Sequence, residues 1–160
     1  MNDVERYTVE EAHHRFARTL HGLVWGLLTK ADRTSDEDER MVHAAHASCY
    51  HWLQIGTGLH HQRGEWLLAH VYAVLGLGEP ALRHACRCLE LTNQHARLMQ
   101  DFDWAYAYEG LARAQAAAGN RNEALTFLAR AQKAGQALEK EEDRKLFLCD
   151  LNAGDWHGVR

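Results

Sequence analysis

Twelve of the 160 residues are histidine, and these side chains offer the most chemistry, because imidazole binds metals, transfers protons and titrates near neutral pH. The densest run lies between residues 43 and 51. At 100° per residue, His43, His46 and Tyr50 fall together on one helical flank, three and four residues apart. Two imidazoles and a phenol in that pattern could hold a transition metal or a polar small molecule, which makes His43 and His46 the candidate metal ligands. Two helical ligands need at least one more donor, and His13, His14, His21 and His70 are the available imidazoles, with Glu65 a further neighbour. The alternative is that these rings satisfy backbone carbonyls or water at a helix interface. His51 points nearly opposite His46, so the run is not one site on a straight helix.

Other catalytic templates are absent or incomplete. Glu11-x-x-His14 echoes one half of a carboxylate di-iron site, but no second such pair follows. There is no His-Glu-x-x-His, Gly-x-Ser-x-Gly or phosphate-cradling glycine loop. Cys86 and Cys88 are two apart on a helix and face about 200° away from each other, so they form neither a metal clamp nor an easy disulfide. Cys49 stands three residues from His46, which makes a thiol nucleophile geometrically possible, but the expected role is a small thiol filling the core. The reading is therefore of a chain without evident catalytic chemistry.

Composition narrows the partners. The formal charge is −4, and no basic block is interleaved with aromatics, which argues against nucleic acid. The longest stretch free of Asp, Glu, Lys and Arg, residues 41 to 62, contains five histidines and two glutamines, too polar for the bilayer core. No signal peptide is indicated, so the expected compartment is the cytoplasm. Protonating every histidine would carry the charge from −4 to +8, which predicts that association or stability changes between pH 7 and pH 5.

The elements that must position these residues are helices. A hydrophobic share of 46% and a single proline predict one helical domain over 1–160 with few turns. Apolar residues recur at helical steps over residues 8 to 31, opened by a Thr8/Glu11 capping box. A second helix is expected over 36 to 61 behind Ser35, a third over 64 to 75 beyond Gly64, and a fourth after Gly76–Pro80 to about 98. A fifth and sixth follow over 101 to 118 and on to about 138, and a charged seventh over 139 to 150 caps the stack. Residues 1–7 and 152–160 are expected to be loose, although Trp156 is placed to dock back.

Internal repetition gives the architecture. At an offset of 43 residues Leu68-Ala69 matches Leu111-Ala112, Gly76 matches Gly119, Ala81 matches Ala124, Ala85 matches Leu128, and Cys88 matches Ala131. Each unit is a helical hairpin that cannot bury its apolar face alone, so units must stack. This spacing of small residues, over roughly residues 63 to 138, resembles the tetratricopeptide repeat, with a unit longer than the usual 34 or so residues, no closing proline, and Gln115 where the first unit has Tyr72. The chain also resembles small bacterial tetratricopeptide-like proteins.

The resemblance implies an all-α superhelix of three antiparallel hairpins plus a capping helix, the first hairpin being assigned by stacking logic. It also implies a concave groove lined by the first helix of each hairpin, at Arg63, Trp66, His70 and Ala73 in one unit and Tyr106, Glu109, Arg113 and Ala116 in the next. Trp66, His70, Tyr106, Glu109 and Arg113 are then the candidate contacts for a protein or peptide ligand, with a homodimer also expected. Glu109 and Arg113, four apart, equally fit a simple ion pair on a solvated face. His14, Arg18, His21 and Trp25 share a narrow arc of the first helix and either extend the groove or form an exposed polar face.

Overall fold

The computed structural model describes residues 6–160, so most of the expected N-terminal loose segment lies outside the described residues. Seven α-helices follow in order: α1 (Val9–Leu28), α2 (Ser35–Ile55), α3 (Gly58–Val74), α4 (Gly78–Gln94), α5 (Asp101–Ala117), α6 (Arg121–Gln136) and α7 (Glu141–Asn152), with one 3-10 turn at Ala96–Leu98. Among the described residues there is no strand, and no helix is long and apolar enough to cross a membrane. The helices pack as three successive hairpins, α1/α2, α3/α4 and α5/α6, that stack side by side as an α-α superhelix and are closed by α7.

Local chemistry sets the helix ends. The Thr8 side chain accepts from the Glu11 amide at 3.2 Å while the Glu11 carboxylate accepts from the Thr8 amide at 2.8 Å. At α2 the same box forms one residue earlier than Ser35 suggested. Thr34 is the cap because Glu37, three residues on, reaches back to the Thr34 amide at 2.9 Å, whereas Asp38 is taken by Arg33 at 2.6 Å. The break between α2 and α3 falls at Gly56–Thr57 rather than Gly64. Gly64 lies inside α3, where a Cβ would stand only 2.9 Å from the Cys49 sulfur, so its missing side chain lets α3 approach α2.

Offset residues adopt matching backbone. Gly76 has φ +71° and Gly119 φ +80°, the left-handed region that favours glycine. The amides of Gly76 and Gly119 donate to Ala73 and Ala116, each at 3.0 Å, and the next amides, Leu77 and Asn120, donate to Tyr72 and Gln115, each at 2.9 Å. Both turns thus close their helices with a Schellman-type pair of bonds. The small residues at the offset, Ala69, Ala81, Ala85 and Cys88 with Ala112, Ala124, Leu128 and Ala131, are all buried.

In the first hairpin the buried face of α2 is Met41, Ala44, Ala45, Ser48 and Cys49, rotated by about one residue from the stripe Val42, Ala45, Cys49, Trp52 and Gly56 that helical periodicity indicates. Ser48 donates to the Ala17 carbonyl at 2.8 Å, which fixes α2 against α1. Val9, Phe16 and Leu23 stay exposed because α1 is the outermost helix and no hairpin lies over that side.

The C-terminal segment packs down, contrary to the expectation for residues 152–160. Phe147 and Leu151 of α7 are fully buried, and Gly135 of α6 leaves the space that the Phe147 ring fills. Gly154 and Gly158, both at φ +77°, turn the chain back, burying Trp156 and Val159. The His157 ring reaches the Ala73 carbonyl of α3 at 2.8 Å, and Arg160 donates to the Leu151 carbonyl at 3.0 Å. Glu141 and Lys145, four apart, pair on the exposed side of α7 at 2.6 Å.

Candidate functional site

Between α1, α3 and α5 the stack leaves a cavity of about 310 Å³. Its floor is aromatic. Trp66 and His70, one turn apart on α3, stack with ring centroids 5.0 Å apart and planes 15° apart. Trp25 of α1 stacks on Trp66 at 6.1 Å, and Tyr106 of α5 meets Trp66 edge-on at 5.3 Å. Gly110 makes room for this floor, since a Cβ there would stand 3.1 Å from the Trp66 ring. A second space of about 440 Å³ adjoins the first, shares Trp25, Trp66, Tyr106 and Asp150 with it, and adds Phe102 and Leu146.

Charged groups form the back wall. Trp66 Nε1 donates to Glu109 at 3.1 Å, and Arg113 Nε donates to the other Glu109 oxygen. The guanidinium also donates to the Asp150 and Ala153 carbonyls at 2.8 and 3.0 Å and lies 4.3 Å over the Trp156 ring. Glu109 and Arg113 are therefore paired with each other, as their spacing allowed, but in the interior (1% and 6% exposed) rather than on a solvated face. The α7 helix and the tail bury them. Arg63, which also falls on the groove side of α3, is bound in a bidentate pair to buried Asp103 at 2.9 and 3.1 Å.

The groups nearer the opening are less committed. The Tyr106 hydroxyl donates to Asp150 Oδ2 at 2.6 Å, and burial followed by that bond raises the phenol pKa far above its ordinary value. Asp150 Oδ1 has no protein donor among the described residues, and Asp155 stands at the rim. His70 lines the cavity with its Nδ1 buried and without a hydrogen-bond partner. Burial holds its imidazole below the ordinary value of 6.5, so the ring is neutral at pH 7.

The histidines of α2 assemble differently from the flank His43–His46–Tyr50. His46 Nε2 bonds the Tyr72 hydroxyl at 2.8 Å, Tyr72 stacks on His84 with planes 3° apart, and His84 Nδ1 bonds Glu65 at 2.7 Å, with His61 3.5 Å from the same carboxylate. Burial and neighbouring His84 push the His46 imidazole down. His43 is largely exposed, 3.9 Å from Glu39, and Tyr50 packs against His51, which itself reaches His13 of α1 at 2.8 Å. No group of three or more His, Cys, Asp or Glu side chains that could hold a metal ion forms among the described residues. His70 belongs to the other face of α3. Cys49 faces Gly64, and burial drives its thiol up to about 12, which keeps it protonated and unreactive.

All five candidate groove residues, Trp66, His70, Tyr106, Glu109 and Arg113, line the one cavity. Trp25 joins them from the α1 arc with His21, whose ring accepts from Trp25 Nε1 at 3.0 Å. Asp150 and the tail residues Ala153–Asp155 were not foreseen, because a groove read from one repeat position per helix says nothing of a cap folding back across it. The one signal available was Trp156, an isolated aromatic in a glycine-flanked tail. No family model matches the chain, and no curated protein or solved structure matches it either.

Proposed function

We propose that the chain is a tetratricopeptide-like binding module whose groove between α1, α3 and α5 takes a peptide segment of a partner protein. The observation that carries this reading is the row Trp25–Trp66–Tyr106, three large aromatic side chains drawn from three hairpins onto one floor with open space above them. Aromatic side chains in partly desolvated pockets supply most of the energy in peptide recognition, and each typically contributes about 2 kcal/mol or more when truncated. The matching turns at Gly76 and Gly119 support the repeat architecture from which such a groove follows. Glu109, Arg113 and Tyr106 are each bound to other protein groups, which fits walls of a recognition site better than a reacting centre.

A library of random ten-residue peptides selected on the whole chain tests the proposal. The expected result is an enriched motif whose binding weakens at least tenfold in both Trp66→Ala and Trp25→Ala, with melting and circular dichroism confirming that the variants fold. Trp25 is 37% exposed, so its removal leaves the core intact. Failure to enrich any motif, or binding indifferent to Trp25→Ala, overturns the proposal.

A further inference from the structure

The groove as a whole says little about which side chain it selects, but the charges around its cavity do. Glu109, Asp150 and Asp155 line it against a single guanidinium, that of Arg113. Arg113 lines the space but its charge is engaged within the protein, by Glu109, two tail carbonyls and the face of Trp156. Of the other basic groups at hand, burial holds the His70 imidazole pKa down, and Arg63 in the adjoining space is paired with Asp103. Among the described residues Asp150 Oδ1 accepts no protein hydrogen bond, and Asp150 lines both spaces. Trp25, Trp66 and Tyr106 line the same two spaces.

A cation is attracted to the negative face of an indole or phenol, and more so where water is excluded. A fixed carboxylate beside that face adds charge complementarity. Resting on the peptide-groove reading above, we propose that this cavity selects the alkylammonium side chain of a lysine in the bound peptide, stacked against Trp25 and Trp66 and neutralised by Asp150. His70 stands in the same wall stacked on Trp66, and its depressed pKa keeps it from opposing a bound cation. An anionic or guanidinium-seeking pocket would need Arg113 free or paired carboxylates in fork geometry, and neither is present.

The test compares three probes by NMR on the isotope-labelled full chain: acetyl-Ala-Lys-Ala-amide, the norleucine peptide that lacks the terminal ammonium group, and tetramethylammonium chloride. The lysine peptide is expected to shift the Trp25 and Trp66 indole signals and to bind at least tenfold more tightly than the norleucine peptide, and Asp150→Asn is expected to bring the two within about threefold. Asn keeps an acceptor for Tyr106, and the lysine-to-norleucine comparison on the unaltered protein holds whether or not that variant folds. Equal binding of lysine and norleucine peptides overturns the cation assignment while leaving the groove intact. Tetramethylammonium binding without lysine binding replaces the peptide assignment by a quaternary-ammonium site. If neither cation binds while selected peptides still depend on Trp25, the assignment also falls, whereas loss of that Trp25 dependence defeats the groove reading itself.

Discussion

Helix α3 carries two aromatic and polar clusters on different faces, and they differ in how completely they are closed. One face presents His61, Glu65 and Tyr72 to α2 and α4, where His46 and His84 complete a chain of ring stacking and hydrogen bonds. The other presents Trp66 and His70 to α1 and α5, where the helices stand far enough apart to leave about 310 Å³ open and one imidazole nitrogen without a partner. Similar residue types therefore make a satisfied interhelical seam in one place and line an open space in another. What separates them is the spacing of the neighbouring helices, since polar groups that meet across a close contact satisfy one another and stabilise packing.

The comparison can be attacked most forcefully at Glu109. Glu109→Ala leaves the Arg113 guanidinium buried beside Trp156 without its counter-charge, and loss of one partner of a buried pair typically destabilises by about 3–5 kcal/mol. Urea unfolding should register that loss, and a change below about 1 kcal/mol would mean the pair is not the strut of the cavity wall. Trp156→Ala comes next, at about 3 kcal/mol for a buried aromatic truncation, together with faster hydrogen exchange of the Arg113 side chain as the tail lifts off. On the closed face, Tyr72→Phe removes only the bond to His46 and should destabilise by about 1 kcal/mol. Peptide binding in the groove should be unchanged by it, and altered binding would show that the two faces are coupled.

The smallest effect concerns acidity. His70 and His46 have folded-state pKa values below 6.5, so the unfolded chain binds protons more readily. Their contribution to stability is fully present above pH 6.5 and is lost as pH falls below it toward the depressed folded values. The groups facing His70 are Trp25, Trp66, Glu109, Arg113 and Asp150, and burial outweighs the two carboxylates among them. Thermal midpoints should hold steady from pH 8 to 7 and decline between pH 6.5 and 5, by about 3 °C for each kcal/mol lost. His70→Phe should flatten part of that decline.

The hairpin architecture could be read from spacing because small residues at a fixed offset report directly on close helix approach, and the turns at Gly76 and Gly119 bear that out in matching φ and hydrogen bonds. Helix limits were harder. Gly64 reads as a breaker in a one-dimensional pattern, whereas its role is to admit Cys49 of a neighbouring helix, a fact that exists only after packing. Likewise the α1 stripe of Val9, Ala12, Phe16, Leu20, Leu23 and Leu27 has helical spacing, yet Leu27 alone of it is buried and Val9, Phe16 and Leu23 are exposed, since periodicity cannot say which side of the first helix a later hairpin will cover. Trp66, His70, Tyr106, Glu109 and Arg113 were assigned to one groove by repeat position. The closure over them by Asp150 and Trp156 depended on a tail too short and too rich in glycine to carry a pattern.

A single titration bears most directly on the claim that the space between α1, α3 and α5 is the ligand site. With a selected peptide added to the labelled chain, the indole signals of Trp25 and Trp66 and the ring signals of His70 should shift together. Those of His46, Tyr72 and His84 should stay in place. Shifts confined to the His46–Tyr72–His84 cluster, with the tryptophans unmoved, would contradict the account.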